Sequence, residues 1–235
     1  MIQHVLVSVI IALGMYLSVK GKKLTLYASA TGGFFAFIIY TGVGYLGIVL
    51  LSAFFVSGTF ATFWRYNEKR GLALSESDNG VRTVGQVVAN AGFAAMLGFL
   101  ACLYPGDKEL FLLMTAAGFS SAVSDTLSSE LGNIYGTRYY NIISFKADKR
   151  GMDGVVSAEG TFFGISGSLL IACIYSLYAG FTIDFLWIVL AGTLGNLFDS
   201  LLGASLERKR ILNNNAVNFL NTVLAALVVW LIKFF

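Results

Sequence analysis

The sequence predicts an all-α, polytopic membrane helix bundle of about eight transmembrane helices, organised as a single transmembrane domain over residues 1–235, and three observations predict it. Hydrophobic residues make up 57% of the 235-residue chain and charged residues only 12%. A soluble globular protein carries about 25% charged residues, so too little charge remains here to cover a water-facing surface. Apolar runs near the ~20 residues needed to cross a hydrocarbon core recur along the whole chain. Finally, the basic residues fall almost entirely on alternate loops between those runs.

The runs are taken in order. The first, 2–19, has no basic residue before it and is followed by Lys20, Lys22 and Lys23. That is the reverse of a signal peptide, so it reads as a retained span with its N-terminus outside. Runs at 24–41 and 44–64 follow, parted by a tight turn at Gly42-Val43; merging them would destroy the charge alternation. Those at 84–104 and 109–131 flank Pro105 to Lys108, those at 160–178 and 184–205 flank Ala179 to Ile183, and 216–234 closes the set. The long polar, Gly-rich loops, 65–83 and 132–159, fall on one side.

That side also holds Lys20, Lys22, Lys23, Arg65, Lys69, Arg70, Arg82, Arg138, Lys146, Lys149, Arg150, Arg208, Lys209 and Arg210, which are 14 of the 16 basic residues; Lys108 and Lys233 lie opposite. The positive-inside rule makes the rich side cytoplasmic and places both termini on the non-cytoplasmic side. A multi-pass membrane protein with its polar chemistry at the cytoplasmic face follows. The net charge of +3 then reflects basic loops and not a nucleic-acid partner. Cys102 and Cys173 sit in apolar runs and suit neither a disulfide framework nor a metal site. His4, the single histidine, stands at the N-terminus, which excludes a histidine-based zinc site or triad.

Four helix ends on the cytoplasmic side carry polar residues at helical spacing. They are Arg82, Gln86 and Asn90; Ser121, Asp125 and Ser128, with Ser124, Ser129 and Glu130 close by; Asn196, Asp199, Ser200 and Gly203; and Asn214, Asn218 and Asn221. An Asp at the centre of a span costs on the order of 2.5–3.5 kcal/mol on insertion scales. Any single stripe reads equally well as hydrogen-bonding glue between helices. Four on one side, two with a carboxylate, point to a shared polar cavity.

Between the stripes runs Ser144 to Gly160, in which Lys146, Lys149 and Arg150 precede Gly151-Met152-Asp153-Gly154 and Ser157-Ala158-Glu159-Gly160. Cations suit phosphate oxygens, and glycines let backbone N–H groups approach an anion. Ser157 is placed to cap the sixth span and add a positive dipole end. Alone, the loop reads as a basic segment against anionic lipid headgroups. Beside Asp125 and Asp199 the phosphate reading gains, because carboxylates that hold Mg²⁺ and cations that hold phosphate belong together in phosphoryl transfer. Gly42 to Gly47 fits G-x-G-x-x-G but lies between spans without a βαβ context. Around Gly21-Lys22, Tyr16 and Lys23 break a Walker A pattern. Gly160-x-x-x-Gly164 reads as close helix packing.

Four ordered motifs, Arg82 to Asn90, Ser124 to Gly132, Asp153 to Gly160 and Gly195 to Ala204, closely resemble an integral membrane family that includes transmembrane protein 19 and the plant and cyanobacterial phytyl-phosphate kinases. The resemblance covers essentially residues 60–235. The family is distantly similar to CTP-dependent lipid kinases and to cytidylyltransferases that make CDP-lipids. Those enzymes use helix-end Asp residues with Mg²⁺ and a basic, Gly-containing loop. One departure bears on base selectivity and phosphate contacts: family members commonly continue a Gly-Thr-Asp-Gly motif where Met152 stands here.

The resemblance implies a CTP- or NTP-dependent kinase that phosphorylates a prenyl or phytyl monophosphate to the diphosphate. Asp125 and Asp199 would hold Mg²⁺, with Glu130 beside them. Lys146, Lys149, Arg150 and Arg82 would neutralise phosphate oxygens, while Asn90, Asn196, Asn214 and Asn218 orient ligands. Gln86, Ser129, Asp153, Gly154, Ser157, Glu159 and Ser200 complete the expected nucleotide- and substrate-binding set. The phosphate nucleophile is already anionic, which fits the absence of a placed histidine. A cytidylyltransferase would use the same parts. A transporter for a small anion or a lipid is the alternative from another class, although no internal repeat is found and the polar groups cluster toward one face.

Overall fold

The computed structural model describes residues 2–72 and 80–234. In chain order the helices are α1 (Ile2–Lys20), α2 (Leu26–Val43), α3 (Tyr45–Phe63), the short α4 (Tyr66–Gly71), α5 (Val84–Leu103), α6 (Lys108–Tyr135), α7 (Ala158–Ala179), α8 (Asp184–Leu202) and α9 (Asn214–Phe234). Among the described residues, eight helical stretches are long and apolar enough to cross a membrane, and they coincide with the eight runs read from the sequence. Part of the expected 65–83 loop, residues 73–79, lies outside the described residues.

The differences are at the ends. α6 continues past residue 131 to Tyr135, α8 opens into a wider π turn at Gly203–Glu207, and α4 stands where only loop was expected. A two-residue ladder, β1 (Tyr140–Asn141) with β2 (Val155–Val156), also forms, antiparallel with Tyr140 opposite Val156 and Asn141 opposite Val155. These pieces are too short to carry a hydrophobic period, which is why the sequence does not announce them.

The turn expected at Gly42-Val43 falls instead at Gly44, whose φ of 86° and ψ of −163° suit glycine alone. Gly42 stays helical, and a Cβ there would overlap the Gly98 carbonyl. Glycine at both positions lets α2 and α5 cross with their backbones nearly touching.

Helix burial runs between two extremes. Every residue of α6 from Leu112 to Ser124 is buried, and α6 packs against α3, α5, α7, α8 and α9. In α1 only Val7 and Ser18 are buried, and its packing is chiefly on α2. α6 is thus the central helix, burying hydroxyls among its small residues, whereas the almost wholly apolar α1 lies at the periphery. Phe54 and Phe119 stack at the α3–α6 contact with centroids 6.0 Å apart. Ser18 and Ser29 pair across α1 and α2 at 3.2 Å, and Ser120 Oγ donates to the Ile188 carbonyl at 3.1 Å. Cys102 and Cys173 are free thiols.

The long connections all meet at one end of the bundle. There the Lys69 ammonium, from α4, donates to the last carbonyls of α3 (Ala61 O 2.9 Å, Thr62 O 2.7 Å) and pairs with Glu130 of α6. Lys69 is only 2% exposed. It caps α3 and ties it to α6.

Candidate functional site

The site is built by the packing of α6 against α8. A Cβ on Gly192 would lie 2.0 Å from Ser120 Oγ, and one on Gly195 would lie 2.1 Å from Ser121 Oγ. Only glycine permits α8 to approach this closely. One helical turn further along each partner, at i+4, stand Asp199 and Asp125. Their carboxyls meet within hydrogen-bonding contact, and both residues are half-buried. Two acidic residues from separate helices are thus brought together at membrane depth, where an unpaired charge is costly.

Asn221 of α9 completes this centre. Ser121 Oγ donates to its amide oxygen at 3.1 Å, and its Nδ2 donates to Asp199 Oδ1 at 2.7 Å. The serine fixes the amide so that its donor side faces the carboxylate. Asn221 is fully buried. It belongs to the Asn214–Asn218–Asn221 stripe but was given no ligand role beside Asn214 and Asn218, which lie nearer the helix start, exposed and half-buried respectively. Asn196 is buried, and Gly164 leaves the space next to its Nδ2 and Ser124 Oγ.

Further acids surround the pair. Glu130 and Glu207 act electrostatically on Asp125, and Asp153 acts on Asp199 and on Glu207. Glu207 escaped the sequence reading because the seventh run ended at 205; its signal was the continuation of the Asp199–Gly203 stripe by one more step of four. Glu130, expected beside the metal, is engaged by Lys69. Among the described residues, no group of three or more His, Cys, Asp or Glu side chains gathers closely enough to cage a metal ion. Two carboxylates nevertheless suit Mg²⁺, which is usually held by one or two carboxylates together with water and substrate phosphates, while Asn221 orients Asp199 through its amide N–H.

The loop between β1 and β2 closes over the end of α8. Gly154 has a φ of 68°, and a Cβ there would lie 2.3 Å from the Ala204 backbone nitrogen. This glycine is therefore spent on seating the loop against the π turn. Arg208, from the end of that turn, pairs with Asp148 at 2.8 Å and donates through Nε to the Asp153 carbonyl at 2.6 Å. The Lys149 N–H, donating at 2.7 Å, and Arg208 hold the Asp148 carboxyl below its ordinary range. Lys146 and Lys149 are exposed. Arg150 lies over the Tyr139 ring, 5.8 Å from its centroid, and its Nε and Nη2 are buried without a hydrogen-bond acceptor. Burial pushes the Tyr139 phenol up.

The remaining expected residues serve varied local roles. Ser157 Oγ accepts from Gly160 N at 3.0 Å and caps α7, as its position in the sequence implied. Glu159 accepts from Thr137 at 2.7 Å across the α6–α7 connection. Ser129 is exposed and donates to Thr126 O at 3.2 Å, while Ser200 lends its carbonyl to the seat of Gly154. The Arg82 stripe departs from the expected common cavity. Arg82 lies over the Phe54 and Phe55 rings (5.3 and 6.0 Å) and against Gly58, and with Gln86 it lines a groove among α1, α2, α3 and α5 whose lining contains neither aspartate. Gln86 accepts the Thr83 N–H at 2.9 Å, and Asn90 donates to the Gln86 carbonyl at 2.9 Å. Of the stripe, Arg82 and Gln86 share this groove with α1, α2 and α3, and Asn90 does not line it.

Residues 9–226 match the family described as Integral membrane protein DUF92. Protein VTE6, chloroplastic, of Arabidopsis thaliana is 33% identical over 218 residues, covering 88% of this chain and 66% of its own. The uncharacterized membrane protein MJ0933 of Methanocaldococcus jannaschii is 31% identical, covering 82% of this chain and 78% of its own. The uncharacterized membrane protein sll0875 of Synechocystis sp. is 32% identical, covering 81% and 75%. No solved structure matches the chain.

Proposed function

We propose that this chain, which belongs to the DUF92 family of integral membrane proteins, is a phosphotransferase that extends a prenyl or phytyl monophosphate to its diphosphate at the cytoplasmic face. CTP is the nucleoside triphosphate in this reading. The observation that carries it is the meeting of Asp125 and Asp199 from α6 and α8. Two carboxylates in contact at membrane depth would repel strongly unless a cation or a proton joined them. The motif resemblance to phytyl-phosphate kinases supplies the substrate class.

In the transfer, a phosphate oxygen of the lipid attacks the γ-phosphorus of the nucleotide, and the bond from that phosphorus to the β,γ-bridging oxygen breaks. The products are the lipid diphosphate and the nucleoside diphosphate. Asp125 and Asp199 would hold Mg²⁺, which neutralises polyphosphate oxygens when bound. Asn221 orients Asp199, and Ser121 orients Asn221. Lys146 and Lys149, exposed on the loop above the α8 end, and Arg150 beside them would balance charge shifting toward the leaving oxygen. The loop, pinned by Arg208, limits water beside the acceptor phosphate.

The test supplies purified protein with a panel of prenyl monophosphates and the four NTPs, first γ-labelled and then α-labelled. The expected result is lipid diphosphate carrying γ-label only. Lipid carrying α-label, with release of pyrophosphate, would replace the kinase by a cytidylyltransferase. Lipid phosphate crossing a proteoliposome membrane without nucleotide turnover would replace it by a transporter.

A further inference from the structure

At the end of the bundle away from the aspartate pair, the starts of α1, α3, α6 and α8 and the ends of α2 and α7 surround a cavity of about 700 Å³, within the range of small-molecule sites. Lys108, at its rim, stands about 25 Å of helix from Asp125. Aromatic rings supply much of the wall. His4 meets Tyr40 edge-on with centroids 5.6 Å apart, and Tyr40 meets Tyr45 at 5.2 Å. Tyrosines at a membrane boundary ordinarily form a belt at the lipid head groups, yet Tyr40 and Tyr175 are only 7% and 6% exposed. The Tyr40 hydroxyl is engaged by Tyr45. The Tyr175 hydroxyl makes no hydrogen bond among the described residues, and it stands within electrostatic reach of Asp184 and Glu109. A buried phenol usually finds a hydrogen-bond partner.

The charges that line the cavity are of both signs. Asp184 is matched by Lys233 of α9 at 2.6 Å. Lys108 and Glu109 form no ion pair among the described residues, either with each other or with a third group. The Lys108 ammonium lies over the turn between α2 and α3, where a Cβ on Gly44 would come 3.8 Å from it. Being consecutive, Lys108 and Glu109 place opposite charges within the span of one short head group.

Such a wall complements a molecule that carries an anion and a cation side by side. We propose that the cavity binds the zwitterionic head group of a membrane phospholipid, a phosphate ester bearing a primary ammonium. The phosphate sits at Lys108, and the ammonium sits at Glu109 and the Tyr175 hydroxyl, with the tyrosine rings beside it. The carboxylate and the hydroxyl both accept hydrogen bonds, which a primary ammonium supplies and a quaternary one cannot. The cavity lies among the ends of six spans, at the level of lipid head groups, which makes a bilayer lipid the source. This site is separate from the acidic centre and does not rest on the phosphotransferase reading.

The experiment titrates the full chain, stripped of lipid in detergent, with the dioleoyl forms of phosphatidylethanolamine, phosphatidylcholine and phosphatidylglycerol, and follows bound lipid by native mass spectrometry. Phosphatidylethanolamine is expected to bind about tenfold more tightly than the other two. Tyr175→Phe, which keeps the ring and removes the hydroxyl, and Glu109→Gln should each cut the preference over phosphatidylcholine to about twofold or less. Lys108→Gln should weaken both zwitterionic lipids about tenfold. Asp125→Asn should bind phosphatidylethanolamine as the parent does. Equal binding of the three lipids, a preference for phosphatidylglycerol, or an undiminished preference in folded Tyr175→Phe and Glu109→Gln proteins would overturn the assignment. Loss of binding in Asp125→Asn would do so too, by moving the lipid to the acidic centre. Displacement of the bound lipid by equimolar glycerophosphoethanolamine would overturn a bilayer lipid as the source, and retention against it supports one.

Discussion

Around α8 the chain gathers negative charge in a setting made of small residues: Gly192 and Gly195 press against serines, and Asp199, Asp125, Glu207 and Asp153 lie within electrostatic reach of one another. Around α1, at the same end of the bundle, the walls are large and apolar, and among the described residues Lys23 and Arg82 are the charged side chains that line the groove. The first arrangement is tight and suits a small, hard cation with the phosphates it carries. The second is looser, with Gly14 and Gly32 leaving space along its walls.

The contrast can be broken most severely at the acidic centre. Asp125→Asn or Asp199→Asn should leave an inserted, folded protein whose Mg²⁺-dependent turnover falls by at least about 10³-fold. Mg²⁺ at a hundred times its Kd should raise the stability of the parent protein by about 2.7 kcal/mol, read as a thermal shift, and should not shift either variant. Normal turnover in one of them would remove that residue from the metal role.

Lys69→Ala cuts the tie between the α3–α4 corner and α6. It strands Glu130 and two α3 carbonyls, and breaking a buried pair of this kind costs about 3–5 kcal/mol. Thermal unfolding in detergent should show the loss, with the nucleotide KM little changed in the surviving folded fraction. Asn221→Ala should sharpen the contrast by leaving both carboxylates in place while freeing Asp199 to turn. A 10- to 100-fold drop in activity or Mg²⁺ affinity is expected, roughly the effect of losing a group that orients a metal ligand.

The smallest effect concerns the loop over α8. The Asp148 carboxyl is held below its ordinary value, so its pairing with Arg208 is complete above the unfolded Asp pKa of about 3.9. The pairing is lost as pH falls through the lower folded value. A spin label at the exposed Phe145 position should stay restrained at pH 5 and loosen only below about pH 4, whereas Arg208→Ala should loosen it at every pH.

Much of the frame was legible because lipid imposes a simple rule: the eight spans are long, apolar and separated by charge. The convergence of Asp125 and Asp199 was legible too, since acids recurring with Ser and Asn at helical spacing turn toward other helices and not toward acyl chains. What stayed hidden depends on which helix meets which. Lys69 reads as one more loop cation, and only the fold brings it to Glu130, 61 residues away. Arg82 had the right face and the wrong expected companions. Asn221 was visible as the third member of a stripe, yet only the Ser121 hydrogen bond singles it out from Asn214 and Asn218. β1 and β2 are two residues each, below the length at which alternation says anything.

Gly44 bears on how the chain is made. With one residue between them, α2 and α3 have no loop long enough to be exported separately, so the two are expected to insert together as a hairpin. Lengthening that link would let α2 be threaded alone, and topology mapping of such an insertion would show whether the reversal or the charge on the flanking segments decides which way the pair faces.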